Sequence, residues 1–202
     1  MKKVILILAV IAFVAVATAS HCFALKEEKT FTLSASIPLA QSISINPYSV
    51  DTATGVETPV TGTALGFDPM TFDPENEIWT PDHYFFVDVV TAGGAGTPTT
   101  TLTFTQGQNP NGAMGNGLGH KGNVSYTKVV DGIPVEIPTH PKELFKDVSA
   151  DTILPSELTG GYFRAYLGIN TGDSGTPTGG EVFSNGDAAG TYDGTLLISA
   201  TL

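Results

Sequence analysis

The chain is poor in cysteine, in charge and above all in basic residues. One cysteine in 202 residues excludes an intramolecular disulfide and a cysteine-based metal cluster. Nine Lys and Arg stand against twenty Asp and Glu, a formal charge of −11, and a surface of that sign repels a phosphate backbone, which argues against nucleic-acid binding. Charged residues make up only 14 %, against a usual ~25 %, so Lys/Glu-rich helices are out of reach. Glycine and proline number 23 and 13, too few for low-complexity disorder. What is abundant is threonine, 27 residues, within a chain that is 41 % hydrophobic. That balance favours β-structure.

Only one long apolar run exists. Lys2 and Lys3 precede Val4 to Ala17, and small residues follow, the three-part layout of a secretory signal peptide. The run falls short of the roughly 20 apolar residues of a membrane span, so an exported, soluble chain is expected. Cleavage fits after Ala19 or after Ala24; the polar start Leu25-Lys26-Glu27-Glu28 favours Ala24. Cys22 is preceded by His21 rather than the small residue a lipid-anchor site requires, so it is assigned to the leader. The processed chain then has seven basic and twenty acidic residues (9 − 2 = 7; 7 − 20 = −13).

About 178 residues remain, one domain with a real core. Phe31, Leu33, Ala35, Ile37 and Leu39 alternate with Thr32, Ser34, Ser36 and Pro38, and Ile43 and Ile45 keep the same parity, which predicts strands hinged near Pro38–Ala40. Further strands are expected at Thr61–Phe67, Tyr84–Val90, Thr99–Thr105, Val124–Val130, Ile133–Ile137, Tyr162–Ile169 and Tyr192–Leu202, separated by Gly/Pro/Asn-rich connectors. A short helix is expected at Pro141–Val148, with Leu144, Phe145 and Val148 on one face. Gln106–Asn123 reads as a loop. The fold class is all-β, an antiparallel β-sandwich with one short helical insertion, a closed barrel being the alternative.

Chemistry-bearing patterns are sparse. Gly117, Gly119 and Gly122 have the spacing of a dinucleotide-binding motif, but a strand rather than a helix is expected after them, which favours a plain loop. Asp68, Asp73, Glu75 and Glu77 lie beside Trp79, a weak calcium candidate without EF-hand spacing. As paired carboxylates next to an aromatic they could also serve glycoside hydrolysis, but Asp68-Pro69 and Asp73-Pro74 read first as turn starters. His83, His120 and His140 form no close pair, no Gly-x-Ser-x-Gly elbow occurs, and Asn123-Val124-Ser125 is a formal glycosylation sequon. No catalytic residue and no cofactor is assigned; a binding or structural role is expected.

The two chain ends are the most informative. Tyr192, Leu196, Ile198, Ala200 and Leu202 share one face of the expected last strand, with Leu197 the exception. Phe31-Thr-Leu-Ser-Ala-Ser-Ile, then Ser42-Ile-Ser-Ile, and the ending Gly190-Thr-Tyr-Asp-Gly-Thr-Leu-Leu-Ile-Ser-Ala-Thr-Leu202 resemble spore coat protein U domains, which include the pilins of archaic chaperone–usher fimbriae. The match covers about thirty residues, and the cysteine that the family places near Gln41–Ser42 is absent. The resemblance implies an immunoglobulin-like sandwich lacking one strand, which a neighbour's amino-terminal extension completes. With the leader read from the residues above, it divides the chain into a signal peptide at 1–24, an extension or donor strand at 25–38 and a β-sandwich domain at 39–202. Phe31, Leu33, Ala35 and Ile37 would plug the neighbour, while Tyr192, Leu196, Ile198, Ala200 and Leu202 would receive. Implied partners are copies of the chain or related subunits, with a periplasmic chaperone and an outer-membrane usher, at the bacterial cell surface. The competing readings are that Thr30–Ile37 is the first strand of its own domain, and that the protein is a monomeric secreted module binding carbohydrate or calcium.

Overall fold

The computed structural model describes residues 41–110 and 117–202. The amino-terminal alternation continues into β1 (Ser42–Asp51), flanked by β2 (Glu57–Pro59) and, in antiparallel register, by β5 (His83–Ala92). The sheet goes on through β11 (Tyr162–Ile169) to β7 (Gly122–Val130) and β8 (Ile133–Glu136), in the order β2-β1-β5-β11-β7-β8, with β9 (Glu143–Leu144) also on β7. A second sheet has the order β10-β6-β13, from Ser149–Ile153, Thr99–Gln106 and Gly194–Thr201. A small third sheet is formed by β12 (Phe183–Ser184), β4 (Ile78–Pro81) and β3 (Met70–Asp73), with β4 in the middle.

Period-2 side chains make the core. In β11, Phe163, Ala165, Leu167 and Ile169 are buried while Tyr162, Arg164 and Tyr166 alternate to the other face. Their inward neighbours are Phe85, Val87 and Val89 on β5 and Val124 and Tyr126 on β7; Leu102 on β6 and Ile153 on β10 close the core from the second sheet. Each fully buried Val, Leu, Ile or Phe among them contributes about 1.5–3 kcal/mol. Lettered by their order along the chain, β1, β5, β11 and β7, side by side in the large sheet, take the places of strands A, B, E and D of an immunoglobulin sandwich, and β6 and β13 those of C and F. The fold is an all-β antiparallel sandwich.

The outer face of the large sheet carries its own packed layer. Arg164 donates from Nε to Asp88 Oδ1 at 2.6 Å and from Nη2 to Oδ2 at 2.8 Å, and its guanidinium lies 3.6 Å from the Phe86 ring centroid. Tyr48 stacks on Phe86 at 4.8 Å. Burial alone would lower the Arg164 pKa, but the Asp88 carboxylate more than offsets this and holds it above its ordinary value.

Four sequence expectations change. The helix expected at Pro141–Val148 is instead β9 followed by a 3-10 turn at Phe145–Asp147; Leu144, Phe145 and Val148 are all buried, but on extended chain. Their spacing fits a helix face, and pairing of β9 with Asn123 and Val124 takes them into a sheet instead. The short helix, α1 (Leu118–Lys121), falls inside the segment read as a loop. Gly122 opens β7, where a Cβ would lie 2.3 Å from the Phe145 ring, so the third glycine of the apparent motif serves close packing. Thr61–Phe67 makes no ladder, yet Leu65 and Phe67 pack on the core, Phe67 edge-on to Phe85 at 5.1 Å. The last strand begins at Gly194, not Tyr192. Five strands outside the sequence expectation, β2, β3, β4, β10 and β12, are each five residues or fewer, too short for period-2 alternation to stand out. The expected hinge at Pro38–Ala40 lies outside the described residues.

Candidate strand-acceptor groove

The two principal sheets are fixed to each other at one side. The Tyr126 hydroxyl on β7 is 2.5 Å from Glu143 Oε1 and 2.7 Å from Asp151 Oδ2 on β10. One phenolic proton can serve only one acceptor, so the second contact needs a carboxyl that donates. Glu143 fits that part: burial, then hydrogen bonding to Asp151, raises its pKa from 4.5 to about 7. Burial also pushes the Tyr126 phenol well up.

β13 is the opposite edge of the small sheet, and its Leu196, Ile198 and Ala200 pack against the same core that Phe85, Val87 and Val89 of β5 and Ile43 of β1 reach. Among the described residues β13 pairs with β6 along Gly194–Thr201 and with no strand on its other side. β2 covers only Tyr48–Val50 of β1, which leaves the outer edge of Ser42–Asn46 without a strand among the described residues. A sheet edge of this kind offers a row of unpaired amide and carbonyl groups.

The side chains tell the same story as the backbone. Ile45 stands opposite Val89, which faces the core, so its parity is inward, yet it is 42 % exposed whereas Val89 is 1 %. Ile43, Leu196, Ile198 and Ala200 also reach the core and remain half-exposed. Leu197, of the opposite parity, is 62 % exposed. The groove is therefore floored by inward apolar groups that no strand among the described residues covers.

Of the residues singled out from sequence, Leu196, Ile198 and Ala200 share this inner face, and Leu202 lies just past the strand and is exposed. Tyr192 sits before β13, edge-on to Phe183 at 4.9 Å, and donates its hydroxyl proton to the Ala188 carbonyl. Phe31, Leu33, Ala35 and Ile37 lie outside the described residues. Ile43 and Ile45 belong to the groove as well; their continued parity along β1 was the available signal.

The acidic cluster does not converge. Asp73 accepts from the Glu75 amide at 2.8 Å and from Asn76 Nδ2 at 2.7 Å, the turn-starting role expected of it. The Asn76 side chain and the Glu75 amide hold its pKa below the ordinary value. Glu75 and Glu77 are exposed, and Asp68 lies away on the rim of a cavity. Among the described residues no three His, Cys, Asp or Glu side chains are placed to hold a metal ion. The histidines are similarly dispersed: His83 lies 2.8 Å from the Gly66 carbonyl, His120 approaches Glu181 and His140 lies 3.3 Å from Glu157. The sequon asparagine, Asn123, is buried and donates to Asn170 Oδ1 at 2.8 Å, which puts its amide nitrogen out of reach of a glycan in the folded chain. Among the described residues no helix is long and apolar enough to cross a membrane. Compared with family models, curated proteins and solved structures, the chain matches none of them.

Proposed function

We propose that the protein is a non-enzymatic structural subunit of an extracellular, fimbria-like fibre that assembles head to tail by strand exchange. One observation carries the reading: the sandwich has the A-B-E-D and C-F strands and, among the described residues, nothing in the place of strand G, leaving the β13 edge and the inward faces of Ile45, Leu196 and Ile198 open. The chain supplies a complementary segment in Thr30–Ile37, whose Phe31, Leu33, Ala35 and Ile37 present an apolar side chain at every second residue. An added strand gains affinity from main-chain hydrogen bonds and selectivity from alternate side chains in pockets. The contact joins unlike surfaces, so it repeats without closing and gives a filament. Under this reading the leader sends the chain out of the cytoplasm, a chaperone covers the groove before assembly and an outer-membrane usher orders the subunits, on the bacterial surface. The resemblance of both chain ends to spore coat protein U domains points the same way.

Removal of Leu25–Ile37 tests it. The shortened chain is expected to remain a folded monomer by size-exclusion chromatography, whereas the processed chain forms polymers. A peptide of sequence Thr30–Ile37, added to the shortened chain, is expected to raise its Tm, by about 2.7 kcal/mol of stabilisation at a hundredfold excess over its Kd. Polymers of undiminished length from the shortened chain would sink the proposal.

A further inference from the structure

A second concave feature lies at the third sheet. Cross-strand register aligns Phe72 with Trp79 and Trp79 with Phe183, and Tyr192 meets Phe183, so four aromatic side chains from separate segments form a continuous strip. Trp79 and Phe72 are 5.1 Å apart, and Trp79 is 38 % exposed. Trp79, Phe183 and Tyr192 line a cavity of about 580 Å³, within the range of small-molecule sites.

The polar groups around it divide into two kinds. Asp187 and Asp193 are already engaged: Asp187 accepts from Lys121 Nζ at 2.8 Å and from the Ser184 amide at 2.7 Å, and Asp193 accepts from the Gln108 amide at 2.5 Å. Burial alone would raise the Asp187 pKa, but the Lys121 ammonium reverses this and holds it low. Lys121, 2 % exposed, also donates to the Val182 carbonyl at 2.8 Å and lies 5.1 Å from the Phe183 ring centroid, so it fixes the loop that carries Phe183 and Asn185. Asp68 and Asn185, by contrast, are exposed on the lining and have no hydrogen-bond partner among the described residues.

We propose that this cavity binds a neutral saccharide. A pyranose ring offers C–H groups on its faces, which pack on the Trp79 ring, and hydroxyls on its edge. The Asp68 carboxylate can accept from those hydroxyls, and the Asn185 amide can both donate and accept. The charge decides the class of sugar: three carboxylates line the cavity, Asp68, Asp187 and Asp193, and Lys121, beside Phe183, is buried and already paired, so sialylated, sulfated or phosphorylated glycans are repelled. The site is independent of strand exchange, since a monomer can bind sugar and a polymer can lack the activity.

The chain has a single tryptophan, so its fluorescence reports this site alone. The full processed chain is titrated with triacetylchitotriose, cellotriose, maltotriose and galactobiose up to about 10 mM, with sialyllactose as the anionic comparison. At least one neutral sugar is expected to give a saturable change, and sialyllactose none. By calorimetry, Trp79→Ala is expected to abolish binding and Asp68→Asn and Asn185→Ala to weaken it about tenfold; Asn185 is on an exposed loop, so that variant reports on binding even if the tryptophan variant fails to fold. No saturable response to any of the four, full affinity in Asn185→Ala, or tighter binding of sialyllactose would overturn the proposal.

Discussion

Two buried polar clusters set the behaviour of individual residues. The Arg164–Asp88 pair is only 12 % and 9 % exposed at its side chains, and Arg164 is layered on Phe86. Removing one partner leaves the other charge buried and uncompensated, so Asp88→Asn and Arg164→Met are each expected to cost about 3 kcal/mol in urea unfolding. Replacing both together should cost less than the sum, which a double-mutant cycle reads directly. The Glu143 carboxyl has the opposite pH logic from a typical ion-paired carboxylate. Its folded-state pKa is raised, so its contribution is fully present below 4.5 and is lost as pH rises through about 7. Stability measured across that window is expected to fall with rising pH in the parent chain, and Glu143→Gln, which keeps a donor toward Asp151 and Tyr126 without titrating, should flatten the profile.

At the level of elements, β13 has two faces with different fates. Leu196, Ile198 and Ala200 turn toward the core, while Leu197 turns to solvent. Under strand exchange, Ile198→Asp places an unpaired carboxylate where an incoming strand must bury it. Polymerisation of that variant is expected to weaken by at least about a hundredfold, and Leu197→Asp to assemble as the parent does, read by sedimentation of each folded chain. Equal effects of the two substitutions would remove the basis for assigning the inner face as the acceptor. The same parity was legible in the sequence, because eight residues of alternation leave little freedom of register once one face is buried. The short strands were not: β12 and β9 are two residues each, and their pairing is set by what lies across from them.

For the whole molecule the dominant fact is its acidity. Under the proposed export and assembly, the chain without its leader carries −13 (7 − 20), and neighbouring subunits would repel before their strands meet. Raising ionic strength from about 0.01 M to about 0.15 M shortens the Debye length from roughly 30 Å to 8 Å. Polymer formation, followed by light scattering, is therefore expected to accelerate with added salt; an assembly held by surface ion pairs would slow instead. With one cysteine in the chain, no intramolecular disulfide contributes, and the described sandwich rests on sheet packing and its buried polar clusters.

The amino-acid sequence by itself determined the β class, the long strands β5, β6, β7 and β11, the inward parity of the last strand and the acidic surface. These follow from composition and from period-2 patterning, which act locally and can be read residue by residue. Only the tertiary structure decided which edges lack a partner among the described residues, that Leu144, Phe145 and Val148 sit on extended chain rather than a helix, and that Trp79, Phe183 and Tyr192, more than a hundred residues apart at the extremes, line one cavity. Those facts depend on strand order and on which segments cross, and an unpaired edge is a property of what lies beside a strand, not of the strand's own sequence.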